Sequence, residues 1–258
     1  MRCTVAAAGL AAVLAFGVAG CGDGASDAPA TGSSPGAATG TVKVFAAASL
    51  TESFTTLGKQ FESAHPGTTV TFNFAGSSAL ATQINQGAPA DVFASAAPTN
   101  MAAVTSAVSP TTFVKNQLVI ATAKGNPKKI IGLAGLAEPG LKVALCAPQV
   151  PCGAAAGTAV EAAGVKLTPV TLEQDVKAAL AKVKLGEVDA ALVYRTDATA
   201  SSADVDAVEF LESAKAINEY PIAVLTGAAN PTGAQQFVDY VLSPAGIKVL
   251  TAAGFQAP

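Results

Sequence analysis

The chain has 258 residues, of which half are apolar and 13% are charged, and its formal net charge is −3. This composition provides enough apolar side chains for a packed core, so it excludes a wholly disordered chain. The lysines are scattered and form neither a basic patch nor an aromatic stacking platform, which excludes a nucleic-acid-binding protein.

The N-terminal segment predicts export. Arg2 carries a positive charge, an apolar run follows over residues 5–18, and small residues precede Cys21. The run is too short for a spanning helix and is typical of a signal peptide, here residues 1–20. Residues 18–21 resemble the lipobox of bacterial lipoproteins, which implies a lipid on Cys21 and anchorage to the outer face of the cytoplasmic membrane. An uncleaved anchor is the alternative.

A flexible tether is predicted next. Residues 22–40 contain Gly, Ala, Ser, Pro, Thr and Asp but no large apolar side chain. Such a segment cannot bury enough surface to fold, so residues 21–40 are interpreted as a lipidated tether. The folded part then begins near residue 41, and its length fits one large or two modest domains.

The start of the folded part alternates between strands and helices. The spacing of apolar residues predicts strands at 42–47, 69–74 and 92–94, and helices at 50–64 and 78–86. A βαβαβ order predicts an α/β protein with a parallel sheet covered by helices.

The same alternation continues to the C-terminus. Further strands are predicted at 117–123, 142–147, 188–194 and 222–225, and further helices at 153–163, 173–185, 232–242 and 245–252. If the chain forms two domains, the apolar runs 117–123 and 222–225 are the expected crossings between them.

The junction after the first strand carries the most informative pattern. The strand ends in three alanines and Ser49, which falls at the predicted N-cap, and Glu52 completes a capping box. Free N–H groups at such a helix start also attract an anion, and small side chains let a ligand approach the backbone. A serine that only caps and a serine in an anion site both remain open at this point.

Four later junctions also place small, hydroxyl or phenol groups after a strand end. They are residues 74–80 with Ser77, residues 148–156 with Cys152, residues 173–176 with Val176, and residues 192–197 with Tyr194. Because parallel strands end at the same edge of a sheet, we expect these groups to meet where ligands collect.

Catalytic and metal-binding patterns are nearly absent. The single histidine, His65, is followed by Pro66-Gly67 and is interpreted as a surface turn residue rather than a general base. No phosphate-binding loop or nucleophile elbow occurs. We therefore predict that the chain is not an enzyme and uses no cofactor.

The two cysteines of the folded part, Cys146 and Cys152, are six positions apart. In an exported protein they could form a disulfide, and two free thiols are the alternative. Without partnering histidines they form a poor metal site.

These stretches together resemble the periplasmic molybdate-binding proteins of bacterial ABC transporters, in their lipoprotein form. The matching segments are residues 46–50 (AAASL), 74–78 (FAGSS), 87–93 (GAPADVF), 150–151, 175–176, 193–194 with 196–198, 219–221 (EYP) and 254–255. They are spread over nearly all of residues 42–256.

The resemblance implies a two-domain periplasmic-binding-protein fold of type II. Each domain would be a mostly parallel sheet flanked by helices, with the ligand in the cleft between the domains. Domain I would comprise residues 41–120 and 221–258, and domain II residues 121–220.

The resemblance also implies a ligand and the groups that hold it. The ligand is a tetrahedral molybdate or tungstate dianion, and no other metal is expected. Its donors would be the hydroxyl and backbone N–H of Ser49 and Ser77, the N–H of Val176, the hydroxyl of Tyr194 and the N–H of Cys152. The family often has alanine where Cys152 stands. Two near-site charges are expected to stay off the ligand: Arg195 facing solvent and Asp197 bracing the 194–200 segment.

Simple chemistry supports a site made only of donors. A fully deprotonated oxyanion offers only acceptors, whereas partly protonated phosphate also requires an acceptor. Together with this chemistry, the resemblance implies a lipid-anchored, monomeric protein that captures molybdate and hands it to an ABC permease. Two alternatives remain: a protein for sulfate or another oxyanion, and a secreted serine hydrolase that uses Ser49 or Ser77 with His65.

Overall fold

The computed structural model describes residues 39–258. The predicted signal peptide, Cys21 and nearly all of the predicted tether lie outside these residues. Within them, no helix combines the length and apolar character needed to cross a bilayer.

Ten strands are present in the described part of the chain. They are β1 (Gly40–Ala47), β2 (Thr68–Ala75), β3 (Val92–Ala94), β4 (Ala107–Asn116), β5 (Leu118–Ala123), β6 (Val143–Cys146), β7 (Thr171–Glu173), β8 (Ala190–Tyr194), β9 (Val205–Val208) and β10 (Asn218–Leu225).

Eight α-helices lie between or after these strands. They are α1 (Thr51–Ala64), α2 (Ser77–Asn85), α3 (Pro98–Ala102), α4 (Pro151–Ala163), α5 (Val176–Lys184), α6 (Arg195–Ala200), α7 (Pro231–Leu242) and α8 (Pro244–Ala252). Short 3-10 helices occupy Ala48–Leu50, Leu133–Ala137 and Leu211–Lys215.

The strands form two five-stranded sheets, in the orders β2-β1-β3-β10-β4 and β7-β6-β8-β5-β9. In the first sheet β1 is parallel to β2 and β3, while β10 runs antiparallel to β3 and β4. In the second, β6 is parallel to β7 and β8, while β5 is antiparallel to β8 and β9. The predicted α/β two-domain class is confirmed, although the sheets are mixed rather than mostly parallel.

The chain crosses between the sheets twice. It passes from β4 to β5 through Gln117 and returns from β9 to β10 through residues 209–217. We call residues 39–116 and 218–258 the first lobe, and residues 118–216 the second lobe. The predicted crossing runs each belong to a single sheet, and the domain boundaries themselves remain a prediction.

Alternation along β1 explains how the first sheet is covered on both faces. Val44 and Ala46 join the apolar cluster beneath α1, α7 and α8, whereas Phe45 faces the cluster of α2 and α3. This is the period of two expected of a strand buried on both faces. A separate cluster fills the second lobe.

Candidate functional site

A small cavity lies where the carboxyl ends of strands from both lobes approach one another. In register, Ala47 pairs with Ala75 and Ala46 with Ala94, so β1, β2 and β3 end together. The space holds little more than a single water molecule or one small ion. The lining residues are Ala47, Ala48, Ser49, Gly76, Ser77 and Ala96 of the first lobe and Val150, Pro151, Cys152, Asp175, Val176 and Tyr194 of the second.

Ser49 lines this cavity without capping a helix. It lies in the 3-10 helix that follows β1, and α1 begins two residues later with Leu50 at its N-cap and no side-chain cap. The predicted capping box is therefore wrong, because the tighter 3-10 turn moves Ser49 ahead of the N-cap. Its buried Oγ instead lies 2.9 Å from the Tyr220 hydroxyl.

Ser77 opens α2, and Gly76 rather than a serine occupies the N-cap. Ser77 Oγ does not cap this helix, because it turns toward β3 and accepts a hydrogen bond from Ala96 N at 3.0 Å. Gly76 is required at this junction, since a Cβ there would collide with the carbonyl oxygen of Gln174 in the second lobe. The two lobes thus meet through backbone beside the cavity.

The start of α4 provides the next part of the wall. Pro151 occupies the first turn, where its missing N–H costs no hydrogen bond, and Cys152 follows it. Cys152 forms a disulfide with Cys146, so of the two states left open by the sequence the bridge is present. Gly153 packs against the carbonyl of Ala147, where a Cβ would collide. The disulfide and this packing hold the N–H groups of the first turn in place.

The start of α5 faces the same space. Asp175 is its N-cap, and the carboxylate accepts from Ala178 N at 2.9 Å. Val176 is the first helical residue, and the N–H groups of a helix's first turn have no partner within the helix. Asp175 is the one acidic residue among those that line the cavity, and its carboxylate is engaged by its own helix.

Tyr194 ends β8 and is almost completely buried. Among residues 39–258 its hydroxyl has no hydrogen-bond partner, and neither does the buried Oδ1 of Asn218. Burial raises the pKa of Tyr194 well above its ordinary value, and the neighbouring Tyr220 raises it further. The hydroxyl is therefore a neutral donor at physiological pH.

A partly buried charge cluster lies behind the cavity wall. Lys177 Nζ is 2.7 Å from Glu52 Oε1 and 3.0 Å from Asp197 Oδ1. Asp197 is fully buried, and its other oxygen accepts from Tyr194 N at 3.3 Å. Burial raises the pKa of Asp197 to about 6, and the lowering by Lys177 only partly opposes it. Asp197 thus braces the start of α6 away from the lining.

Two other polar residues named from the sequence lie away from the cavity. Arg195 pairs with Glu209, with Nη2 2.9 Å from Oε2. His65 caps the C-terminus of α1 and stacks on Phe61. Ser49 precedes that helix and His65 follows it, so its 14 residues separate them by roughly 21 Å. Ser49 and His65 therefore do not form a catalytic pair.

The five residues predicted as ligand groups line one cavity together: Ser49, Ser77, Cys152, Val176 and Tyr194. No Lys or Arg occurs among the described lining residues. Helix-start N–H groups and hydroxyls of this kind suit a small anion that only accepts hydrogen bonds.

Sequence reasoning gave no role to Tyr220, Asn218 or Asn116. Tyr220 and Asn218 lie on the same face of β10. The sequence of this strand does not differ from that of an ordinary buried strand, so it did not point to a site. The one feature of the sequence that could have identified them is the presence of polar side chains in strands that adjoin a crossing between the lobes.

The sequence is similar to known bacterial proteins along nearly its whole length. The sequence model described as bacterial extracellular solute-binding protein matches residues 42–256. Molybdate-binding protein ModA of Mycobacterium tuberculosis is 45% identical over 253 residues, which cover 96% of each chain. Its namesake from Escherichia coli is 34% identical over 84% of this chain and 89% of its own.

A solved structure shows the same fold. The periplasmic molybdate-binding protein of Azotobacter vinelandii superposes with a TM-score of 0.73 at 21% identity, over 84% of this chain and 99% of that one.

Proposed function

This chain belongs to the family of bacterial extracellular solute-binding proteins, and we propose that it captures molybdate, with tungstate as a near-equal ligand, for an ABC importer. The family resemblance predicted from the sequence is confirmed, and so is the prediction that the chain is a binding protein rather than an enzyme. Its ligand is a transported solute, so no cofactor is assigned.

One observation carries the choice of ligand: uncharged donors from both lobes surround one small cavity. Its lining includes no Lys or Arg, and its one carboxylate, on Asp175, already accepts a hydrogen bond from Ala178 N. The N–H groups of Ser77, Cys152 and Val176 at helix starts, and the hydroxyls of Ser49 and Tyr194, would each donate to an oxygen of the dianion. The partial positive charge of three helix N-termini adds to these hydrogen bonds.

The same donors discriminate among oxyanions. Hydrogen phosphate carries a proton that requires an acceptor, whereas the one carboxylate of the lining, on Asp175, already accepts a hydrogen bond from its own helix. Sulfate is acceptor-only but smaller, so rigid donors would be left incompletely paired, at roughly 1–3 kcal/mol for each buried group.

Binding is coupled to closure of the lobes. Because the donors come from both lobes, the dianion is held fully only when the lobes are together, and it shifts the population toward that state. No bond is made or broken.

Cellular placement forms part of the same proposal. The signal peptide and lipid on Cys21 would hold a monomeric protein at the outer face of the cytoplasmic membrane, where it hands the anion to the permease. The disulfide between Cys146 and Cys152 agrees with an oxidising compartment outside the cytoplasm.

Calorimetric titration tests the proposed ligand. Molybdate and tungstate are expected to bind tightly, with sulfate and phosphate at least about 100-fold weaker, as two unpaired buried donors would produce. The matched control is His65→Ala. His65 lies at the end of α1 that is distant from the cavity, so this substitution should leave the affinity for molybdate unchanged. Tight sulfate binding with weak molybdate binding would overturn the assignment, and loss of a hydrolytic activity in His65→Ala would restore the hydrolase alternative.

A further inference from the structure

Glu52 forms an ion pair between the two lobes. It lies in the first turn of α1, and both of its carboxylate oxygens accept hydrogen bonds from Lys177 Nζ, at 2.7 and 2.8 Å. Lys177 is the second residue of α5 and belongs to the second lobe. Burial lowers the pKa of Lys177, but Asp197 and Glu52 outweigh this effect and raise it, so the ammonium group is charged at physiological pH.

Lys177 has a second partner that does not depend on Glu52. Its Nζ lies 3.0 Å from Asp197 Oδ1, and both residues belong to the second lobe. The buried Asp197 therefore keeps its counterion when the lobes separate, whereas the half-exposed Glu52 returns to water. The contact between Lys177 and Glu52 is thus made only in the closed arrangement, and its free energy contributes to closure rather than to folding of the second lobe.

This contact lies away from the segments that connect the lobes. Helix α5 begins just after β7, an edge strand that is three strand positions from β5, where the chain enters the second lobe. Three strand spacings correspond to roughly 14 Å. The hydrogen bond from Asn116 to Thr196, in contrast, adjoins the crossing at Gln117. Because lobes open about their connecting segments, we expect opening to separate Lys177 from Glu52 more than Asn116 from Thr196.

Two contacts with the first lobe flank Val176, whose N–H is a proposed donor to the anion. On one side, Gly76 lies so close to Gln174 that a Cβ on Gly76 would collide with the Gln174 carbonyl oxygen. On the other side, Lys177 binds Glu52. The position of the Val176 N–H relative to the donors of the first lobe is therefore fixed from both sides.

We propose that Glu52 is a positioning residue for the anion site: by binding Lys177 it holds the start of α5 against the first lobe and slows release of the anion. The proposal rests on the proposed function, because it takes molybdate as the anion and closure as the mechanism. Glu52 does not line the cavity. Its negative charge alone would repel a dianion, so a positioning effect and a direct electrostatic effect have opposite signs.

Calorimetric titration with molybdate compares Glu52→Gln with the unaltered protein. The variant is expected to bind about two- to fivefold more weakly, the range for a partly exposed ion pair. Glu187→Gln is the matched control, because Glu187 pairs with Lys182 at 2.6 Å with similar exposure but entirely within the second lobe. The affinity of this control should not change. Unchanged or tighter binding by Glu52→Gln would overturn the proposal.

The release rate distinguishes a positioning role from a general loss of structure. Labelled molybdate bound to each protein is chased with an excess of unlabelled molybdate. Glu52→Gln should release the label faster by about the factor by which its affinity falls, because the closed state retains the anion. A weaker affinity with an unchanged release rate would contradict the role of Glu52 in holding the site closed.

A double-mutant cycle tests whether Glu52 acts through Lys177. In a Lys177→Met background, Glu52→Gln should cause no loss of affinity. Because Lys177→Met leaves Asp197 without a counterion, Lys177→Met combined with Asp197→Asn is the background if the first does not fold. Equal losses with and without Lys177 would overturn the proposal. Absence of molybdate binding in the unaltered protein would refute the proposed function, whereas intact binding without this coupling refutes only the role of Glu52.

Discussion

At the scale of single residues, Asp197 links stability to pH. The unfolded chain protonates an aspartate near pH 3.9, whereas burial raises the pKa of Asp197 to about 6 in the folded protein. The folded state therefore holds an extra proton between these values. Its contribution to stability is complete below about pH 4 and is lost as the pH rises through about 6.

Asp197→Asn is expected to remove this dependence. Relative to the variant, the unaltered protein should lose on the order of 2–3 kcal/mol of unfolding free energy between pH 4 and pH 7, because two pKa units correspond to that value. Urea unfolding at four pH values measures the difference. Asp204→Asn, an exposed carboxylate paired with Lys184, is the control and should change stability by less than about 0.5 kcal/mol. If the unfolding free energies of Asp197→Asn and the unaltered protein differed by the same amount at every pH, the raised pKa of Asp197 would be contradicted.

Tyr194 should contribute directly to binding. Its hydroxyl is buried without a partner in the described chain, so it is free to donate to the dianion. Tyr194→Phe is expected to weaken molybdate binding by roughly 1.5–3 kcal/mol, the value of a hydrogen bond to a charged group. Calorimetry measures the loss, and an unchanged affinity would remove Tyr194 from the site.

At the scale of elements, each cavity wall is the start of a helix that follows a strand. These junctions were visible in the sequence because capping residues, glycine and proline act locally. The details were less predictable: Ser49 and Ser77 turn inward instead of capping, because partners distant in sequence, Tyr220 and Ala96, compete for their hydroxyls.

Long-range pairing also explains the elements that were missed. β4 was not predicted, since its exposed half includes Pro110 and a left-handed Ser109, and only pairing with β10 makes it a strand. The antiparallel direction of β10 likewise depends on the return of the chain from the second lobe. Local patterns therefore predicted the βαβ units and the cavity edge, but they could not predict how β10 completes the first sheet.

Helices α1 and α5 connect the lobes beside the cavity. Lys177 of α5 holds Glu52 of α1, and of the ion pairs within residues 39–258 this is the one that joins the two lobes. Lys177 directly follows Val176 in the chain. The ion pair therefore positions the first turn of α5, whose backbone N–H groups would donate to the anion. Partial exposure limits its strength to about 1 kcal/mol or less.

At the scale of the whole molecule, the site requires both lobes at once. Three of the proposed donors, on Cys152, Val176 and Tyr194, belong to the second lobe, and those of Ser49 and Ser77 belong to the first. The chain also crosses twice between the sheets, so the first lobe is built from two separate segments, and neither lobe contains all of the proposed donors. Unfolding of either lobe must therefore release the ligand.

Calorimetric unfolding should reveal this dependence. Molybdate at a hundredfold excess over its dissociation constant stabilises the folded state by about 2.7 kcal/mol. For a folded unit of this size, that corresponds to a rise in Tm of about 5–11 °C. If the lobes unfold separately without ligand, both transitions should shift or merge, because the bound anion bridges them. Phosphate at the same concentration should shift neither. A shift of one transition alone would place the entire site within a single lobe, and closure around the anion could then not be the mechanism.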